Sequence, residues 1–98
     1  MKKTAFFIVV RNPDGSIQRE EKQGFSETLR KAGSDQTVTV CYDKRGDTWT
    51  ATEESTGMAI FFDAPTRKAA HDKAVSMFDR IVSALPKSRA FVAAKIDG

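Results

Sequence analysis

The alternation of large apolar residues with small or polar ones predicts three consecutive short strands in the middle of the chain. These strands cover residues 37–43, 48–52 and 58–62, and each places its larger side chains on one face. Threonine and other β-branched residues are frequent here, which favours strands over helices. Short polar turns containing Gly46 and Gly57 separate the three stretches, so we expect an antiparallel meander.

Two further strands are predicted near the N-terminus. Residues 5–10 form a continuous apolar run, which is typical of a strand covered on both faces. The sequence Asn-Pro-Asp-Gly at 12–15 favours a tight turn, because proline presets φ and glycine accepts a positive φ. The returning residues 16–22 contain only Ile17 as a large apolar residue, which predicts an exposed, charged edge strand.

Helical signals lie on both sides of the meander. Residues 26–32 begin with Ser26, which is suited to an N-cap, and are followed by Gly33, which is suited to a C-cap. This pattern predicts a helix of about two turns. Residues 65–85 carry apolar side chains at helical spacing, and Pro86 is expected to end this long helix. The length and apolar content of residues 91–96 suit a final strand.

Together these elements predict one α+β domain spanning residues 1–98. We expect an antiparallel sheet of about five strands, with one long helix from the C-terminal half packed on one face and one short helix besides. A chain of 98 residues has room for one hydrophobic core.

Composition and charge narrow the classes of function. Hydrophobic residues make up 40% and charged residues 30%, as in soluble globular proteins. The 16 basic and 13 acidic residues give a net charge of only +3, which favours a mixed surface over a dedicated DNA-binding one. Cys41 is the only cysteine, so it fits a reducing compartment. No stretch has the length of a membrane span, and the N-terminal apolar run is too short for a signal peptide. We therefore expect a cytoplasmic protein without a membrane partner.

Few residues could support catalysis. Cys41 and His71 would have to be adjacent to act as nucleophile and base, and the strand pattern places Cys41 on the face opposite Val40 and Tyr42. No metal, nucleotide or hydrolase motif is present, which predicts a non-enzymatic protein with no cofactor and no metal. An enzyme that uses Cys41 and His71 is kept as a third alternative.

The adjacent acidic residues Glu53 and Glu54 do not form a carboxylate pair. Neighbours on a strand or turn point in opposite directions, so the two are expected to be solvating surface charges.

The basic residues give the main candidate site. The start of a helix favours anions, because its free N–H groups and its dipole both carry positive charge. If the 43–47 turn lies beside the start of the long helix, the two could hold a partner or a nucleic-acid backbone. Interleaved aspartates favour the alternative of a neutralised surface. The candidate binding residues are Lys44, Arg45, Arg67, Lys68, His71 and Lys73.

Phe61 is a candidate aromatic contact. Phe61 and Phe62 are adjacent, so one of them must point away from the face that the other occupies. Trp49, beside threonines in a half-buried strand, is expected in the core rather than in a stacking platform.

Residues 38–85 resemble the partial RNase-H-like domain of HicB-type antitoxins. The matching segments are Asp-Thr-Trp-Thr-Ala-Thr at 47–52, Thr-Gly-Met at 56–58 and Thr-Arg-Lys-Ala-Ala at 66–70. The family usually has proline before that glycine, Gly-Asp-Thr before the helix and Glu-Ala in its first turn, and this chain departs from all three. The resemblance implies a protein that binds and neutralises a partner protein.

Two other similarities are looser. The order of three strands and a helix with a basic start is similar to a double-stranded-RNA-binding domain, whose Lys-Lys-x-Ala-Lys motif touches phosphates. Arg67, Lys68 and Ala70 match this motif, and His71 departs from the lysine that ends it. In general make-up the chain resembles small proteins of phages and mobile elements, including anti-CRISPR inhibitors.

The resulting functional hypothesis is a small non-enzymatic protein that binds and neutralises a macromolecular partner, as an antitoxin or a phage inhibitor does. The favoured partner is a protein. The alternative is a nucleic-acid-binding module that uses the basic residues at the long helix start and the 43–47 turn. A homodimer formed through the edge strand at 16–22 stays open.

Overall fold

The computed structural model describes residues 1–97 and contains five strands followed by two helices. The elements are β1 (Lys2–Arg11), β2 (Ile17–Arg30), β3 (Thr37–Arg45), β4 (Thr48–Glu53), β5 (Ala59–Ala64), α1 (Arg67–Ser76) and α2 (Phe78–Asp97). The strands form one antiparallel sheet in the order β1-β2-β3-β4-β5. The predicted α+β class with a five-stranded antiparallel sheet is confirmed, and the longer helix is the C-terminal one.

The main core lies between one face of the sheet and the two helices. Side chains alternate along β3, so that Val38, Val40 and Tyr42 face the helices and are almost fully buried. The only buried residues of α1 are Ala70 and Ala74, and their small size lets that helix approach the sheet closely. The buried members of this core are Leu29, Val38, Val40, Tyr42, Ala51, Phe61, Ala64, Ala70, Ala74, Phe78 and Ile81.

The prediction of a short helix over residues 26–32 is wrong, because β2 continues through this segment to Arg30. Residues 25–30 pair with residues 42–37 of β3, which provides cross-strand hydrogen bonds to this segment. A helix of about two turns is marginal by itself, so cross-strand pairing outweighs the local capping signals. The earlier part of β2, residues 17–24, pairs only with β1 and keeps one open, charged side, as expected for an edge.

The helical boundaries also differ from the prediction. The expected helix over 65–85 is divided at Met77, whose N–H bonds to the carbonyls of both Lys73 and Ala74 at 3.1 Å. Pro86 lies inside α2 and does not end it. Its side chain is exposed, so water can reach the carbonyl that loses an N–H partner.

The prediction of a strand over residues 91–96 is also wrong, because these residues belong to α2. Val92 is only 5% exposed and continues the spacing of Ile81, Leu85 and Ser88 along the inner side of α2. The apolar residues of this segment therefore follow the 3.6-residue period of a helix.

A second, smaller core lies on the face of the sheet opposite the helices. It contains Phe6, Ile8 and Cys41, with Val10 packed against them. The outer edge of β1 meets the β4–β5 turn, where the Val9 N–H donates to the Gly57 carbonyl at 2.9 Å. The sheet is therefore strongly coiled, and β1 covers the back of β3. Residues 5–10 were predicted to be covered on both faces, but Phe7 is 53% exposed, so only one face is covered.

Candidate functional site

Cys41 and His71 lie on opposite faces of the sheet. Cys41 is fully buried in the smaller core, and its thiol points to the Glu54 carboxylate with Sγ to Oε2 at 3.8 Å. Burial, reinforced by the charge of Glu54, raises the pKa of Cys41 to about 12, so the thiol stays protonated at neutral pH. His71 is on α1, across the sheet from it. The structure therefore does not bring the two groups together as nucleophile and base.

His71 contacts a carboxylate of β2. Its Nδ1 lies 2.7 Å from both carboxylate oxygens of Glu27, whose side chain is 15% exposed. The Tyr42 hydroxyl is buried next to this carboxylate without forming a well-aligned hydrogen bond, and burial together with Glu27 raises the pKa of Tyr42 strongly. Because α1 buries only two alanines, the contact between His71 and Glu27 helps to fix this helix on the sheet.

Three of the other candidate basic residues are held by nearby aspartates. The pairs are Arg45 with Asp43 at 2.7 and 3.2 Å, Lys68 with Asp72 at 3.0 Å, and Lys73 with Asp63 at 2.9 Å. Arg45 also lies on the sheet face opposite Lys44, as alternation along β3 requires. Among the candidate lysines and arginines, only Lys44 and Arg67 make no ion pair within residues 1–97.

These two residues border what we term the helix-start patch, formed by Phe25, Lys44, Trp49 and Arg67. The Arg67 guanidinium stacks over the Phe25 ring at 4.3 Å, and Phe25 lies 6.2 Å from Trp49. Lys44 is the cross-strand partner of Trp49. Trp49 is partly buried against the main core, in accordance with the prediction. The patch has two unpaired cations, which is few for a surface that follows a phosphate backbone.

Phe61 does not offer the predicted aromatic contact. It is 5% exposed and belongs to the main core, whereas Phe62 is 62% exposed. The register of β5 against β4 shifts on both sides of Phe61, and these irregularities turn its ring towards the helices. The Lys73 ammonium group lies 4.8 Å from the centre of the Phe61 ring, so it also covers this ring.

An apolar groove lies between α2 and the start of β5, and we call it the α2 groove. Its volume is about 260 Å³. Its helical side runs from Met77, at the junction of α1 and α2, to Ser88 in α2, which is about three helical turns. The lining residues are Glu53, Thr56, Met58, Ala59, Ile60, Met77, Arg80, Ile81, Ala84, Leu85 and Ser88.

The acidic residue that lines this groove is buried, and its carboxylate oxygens are occupied by hydrogen bonds within the chain. Glu53 is 6% exposed, which corrects its prediction as a surface charge. Its carboxylate accepts hydrogen bonds from the backbone N–H and the hydroxyl of both Ser55 and Thr56, at 2.7 to 3.0 Å. These bonds build the β4–β5 turn, which Gly57 closes with a positive φ of 75°. The carboxylate is therefore a structural group.

Unpaired positive charge lies along the helical side of the α2 groove. Arg80 lines the groove, and Lys87 lies close to Arg80 and Ala84 on the exposed surface of α2. Asp79 is the neighbouring acid, and the ammonium group of Lys31 holds it at 2.9 and 3.0 Å. Neither Arg80 nor Lys87 makes an ion pair within the described part of the chain.

Sequence reasoning missed the α2 groove because its two walls are distant in the chain. The apolar positions of the predicted helix were expected only to pack on the sheet, and the helix was expected to end at Pro86, before Ser88. The available signals were Met58 and Met77, since methionine is frequent at adaptable binding surfaces.

No protein-family model matches the chain, and no curated protein or solved structure is significantly similar to it. The similarity to HicB-type antitoxins therefore stays a prediction. Within residues 1–97, no helix has both the length and the apolar character required to cross a bilayer, and no group of three potential metal ligands is found.

Proposed function

We propose that the protein is a non-enzymatic binding protein that captures a partner protein in the α2 groove. Binding neutralises the partner by covering a surface that the partner needs for its own activity, in the manner implied by the resemblance to antitoxins. The cytoplasm is the proposed compartment, which the unpaired thiol of Cys41 supports.

One observation carries this proposal: the α2 groove is an apolar surface open to solvent along about three helical turns. Burying apolar surface contributes about 25 cal/mol per Å², so a complementary partner would gain free energy by covering the groove. Met58 and Met77 line opposite walls, and their flexible side chains can adapt to the shape of a partner. Grooves of this kind are a common way for a domain to recognise a segment of another protein.

The distribution of charge supports a protein partner over a nucleic acid. Arg45, Lys68 and Lys73 are neutralised by neighbouring aspartates, so the candidate basic residues supply only two unpaired cations at the helix-start patch. A nucleic-acid interface gains its affinity from many phosphate contacts. The α2 groove instead has the composition of a protein interface, with an apolar centre and a polar rim.

Replacing Ala84 by glutamate is expected to abolish partner capture. Ala84 is exposed and lines the groove, so a long charged side chain there obstructs the apolar surface. Glutamate is a good helix former, which preserves α2. The matched control is Ala93→Glu, an exposed alanine on the same helix, placed about half a turn away around the helix axis. Tagged wild-type and variant chains are used to purify bound proteins from the native host, and the recovered proteins are quantified by mass spectrometry.

The expected result is a protein recovered at a fixed ratio with the wild type and with Ala93→Glu, and lost with Ala84→Glu. Circular dichroism verifies that both variants retain the wild-type helix content. Equal recovery with Ala84→Glu and Ala93→Glu would show that the groove does not bind the partner. Absence of any stoichiometric protein from all three purifications would overturn the proposal as a whole.

A further inference from the structure

We infer that the segment captured in the α2 groove is an acidic amphipathic helix of a different protein. This inference rests on the proposed function, since it specifies the chemistry of the partner for the same groove. Three properties of the groove lead to it: the sign of the exposed charge on its rim, the length of its helical wall, and the irregularity of the adjacent strand.

The charge of the rim favours carboxylates on the partner. Arg80 and Lys87 are exposed and make no ion pair within residues 1–97, whereas Glu53 and Asp79 are already engaged. A partner that approaches the groove therefore meets two exposed cations, whereas the nearby carboxylates are buried, as that of Glu53 is, or ion-paired, as that of Asp79 is. Charge complementarity of this kind mainly raises the association rate and selects between partners. Acidic residues beside the apolar anchor positions would meet both cations.

The shape of the groove favours a helix over a strand. Its helical wall extends from Met77, just before α2, to Ser88, about 16 Å at the helical rise, which accommodates about three turns of a second helix. Apolar side chains of that helix at positions i, i+3 or i+4 and i+7 would fill the groove. An added strand would need a regular edge, but the pairing of β5 with β4 shifts register on both sides of Phe61. Such irregularities oppose the addition of a strand.

A second copy of this chain is disfavoured as the occupant. The exposed amphipathic helix that a second copy could offer is α2 itself, and its charged residues beyond Asp79 within the described side chains are all basic. They are Arg80, Lys87, Arg89 and Lys95. Two such helices side by side would place like charges together, which costs free energy in a partly desolvated contact. The rim charge therefore selects a partner of opposite sign.

The test uses the full chain as bait for a displayed library of short helical peptides with random surface positions. We expect the selected peptides to combine an apolar stripe with several Asp or Glu residues. One selected peptide is then synthesised, and its Kd is measured by fluorescence anisotropy at low and high salt. The variants are the double substitution Arg80→Gln with Lys87→Gln, and Ala84→Glu. The control is Arg89→Gln, an exposed arginine about half a turn away from Arg80 around α2.

The inference predicts that the double substitution weakens peptide binding about tenfold at low salt, and that high salt removes most of this difference. Arg89→Gln should bind as the wild type does. If the selected peptides lack acidic residues, or if the double substitution leaves Kd unchanged while Ala84→Glu abolishes binding, the acidic partner is wrong and the groove proposal stands. If Ala84→Glu leaves peptide binding unchanged, both are wrong. A wild-type dimer that Ala84→Glu converts to a monomer would assign the groove to a second copy and overturn the inference.

Discussion

Replacing Gly24 by alanine is expected to destabilise the protein by about 3 kcal/mol or more, because a Cβ atom at this position overlaps the backbone carbonyl oxygen of Tyr42. The same atom would lie 3.1 Å from the ring of Phe6. Gly24 is where β2 passes from pairing with β1 alone to pairing with β3 as well, so the coil of the sheet depends on close backbone approach there. Denaturant unfolding followed by circular dichroism measures the change.

Gly33→Ala is the matched control for this substitution. Gly33 has a positive φ of 79°, and a Cβ atom there would meet nothing within 4 Å. Its replacement therefore measures the conformational cost of a left-handed residue, about 1 kcal/mol. Gly24 has no positive φ, so its replacement measures steric overlap alone. A loss of stability at Gly24 no larger than at Gly33 would contradict the tightly coiled sheet. Since small domains are stable by about 5–15 kcal/mol, Gly24→Ala should still permit a measurable transition.

Replacing Glu53 by alanine is the second change with a large expected effect, a loss of about 3 kcal/mol in the free energy of unfolding. The carboxylate accepts four hydrogen bonds from Ser55 and Thr56, and it is 6% exposed. Removing it leaves the buried backbone N–H and hydroxyl of Thr56 without their acceptor. Hydrogen bonds to charged groups contribute more than neutral ones, and buried donors without partners cost more still.

Glu54→Ala provides the control at the adjacent acidic residue. Glu54 is exposed, and its side-chain contact is a long one to the Cys41 thiol at 3.8 Å. Its replacement should change stability by about 0.5 kcal/mol or less, as is usual at surface positions. Because the β4–β5 turn also supports the α2 groove, Glu53→Ala is expected to weaken partner binding along with stability. Equal midpoints of unfolding for the two variants would show that the Glu53 carboxylate does not organise the turn.

The sequence predicts those parts of the fold whose signals are local. The alternation over residues 37–62 specifies three strands, and the turn at 12–15 specifies the first hairpin. Thr66 caps α1, since its hydroxyl accepts a hydrogen bond from the Ala69 N–H at 3.0 Å. Each of these features depends on residues close together in the chain, so periodicity and capping rules suffice to find them.

The parts that could not be predicted depend on distant residues. Residues 26–30 have helix-capping neighbours but form a strand, because β3 supplies hydrogen-bond partners that the local sequence does not reveal. The helix continues past Pro86 because that residue faces solvent and Val92 remains available for burial further along. An isolated helix would be expected to stop there.

For the candidate site as well, the sequence identifies the types of residue but not their positions in the fold. Sequence reasoning identified the basic residues around the start of α1, but their pairing partners depend on the tertiary structure. His71 meets Glu27, which is 44 residues away, and Lys73 meets Asp63 across the β5–α1 connection. Most of the proposed binding residues are therefore paired within the chain and have a structural role. The α2 groove has no linear motif because strand and helix each supply one wall.

The central claim is that this protein binds its partner through the α2 groove and not through the helix-start patch. Backbone chemical-shift mapping of the isotope-labelled full chain, titrated with the captured partner or the selected peptide, tests this most directly. The account predicts that the largest shifts fall on residues 58–60 and 77–88, with Lys44, Trp49 and Arg67 unchanged. Shifts centred on Trp49 and Arg67, with the groove residues unchanged, would contradict it.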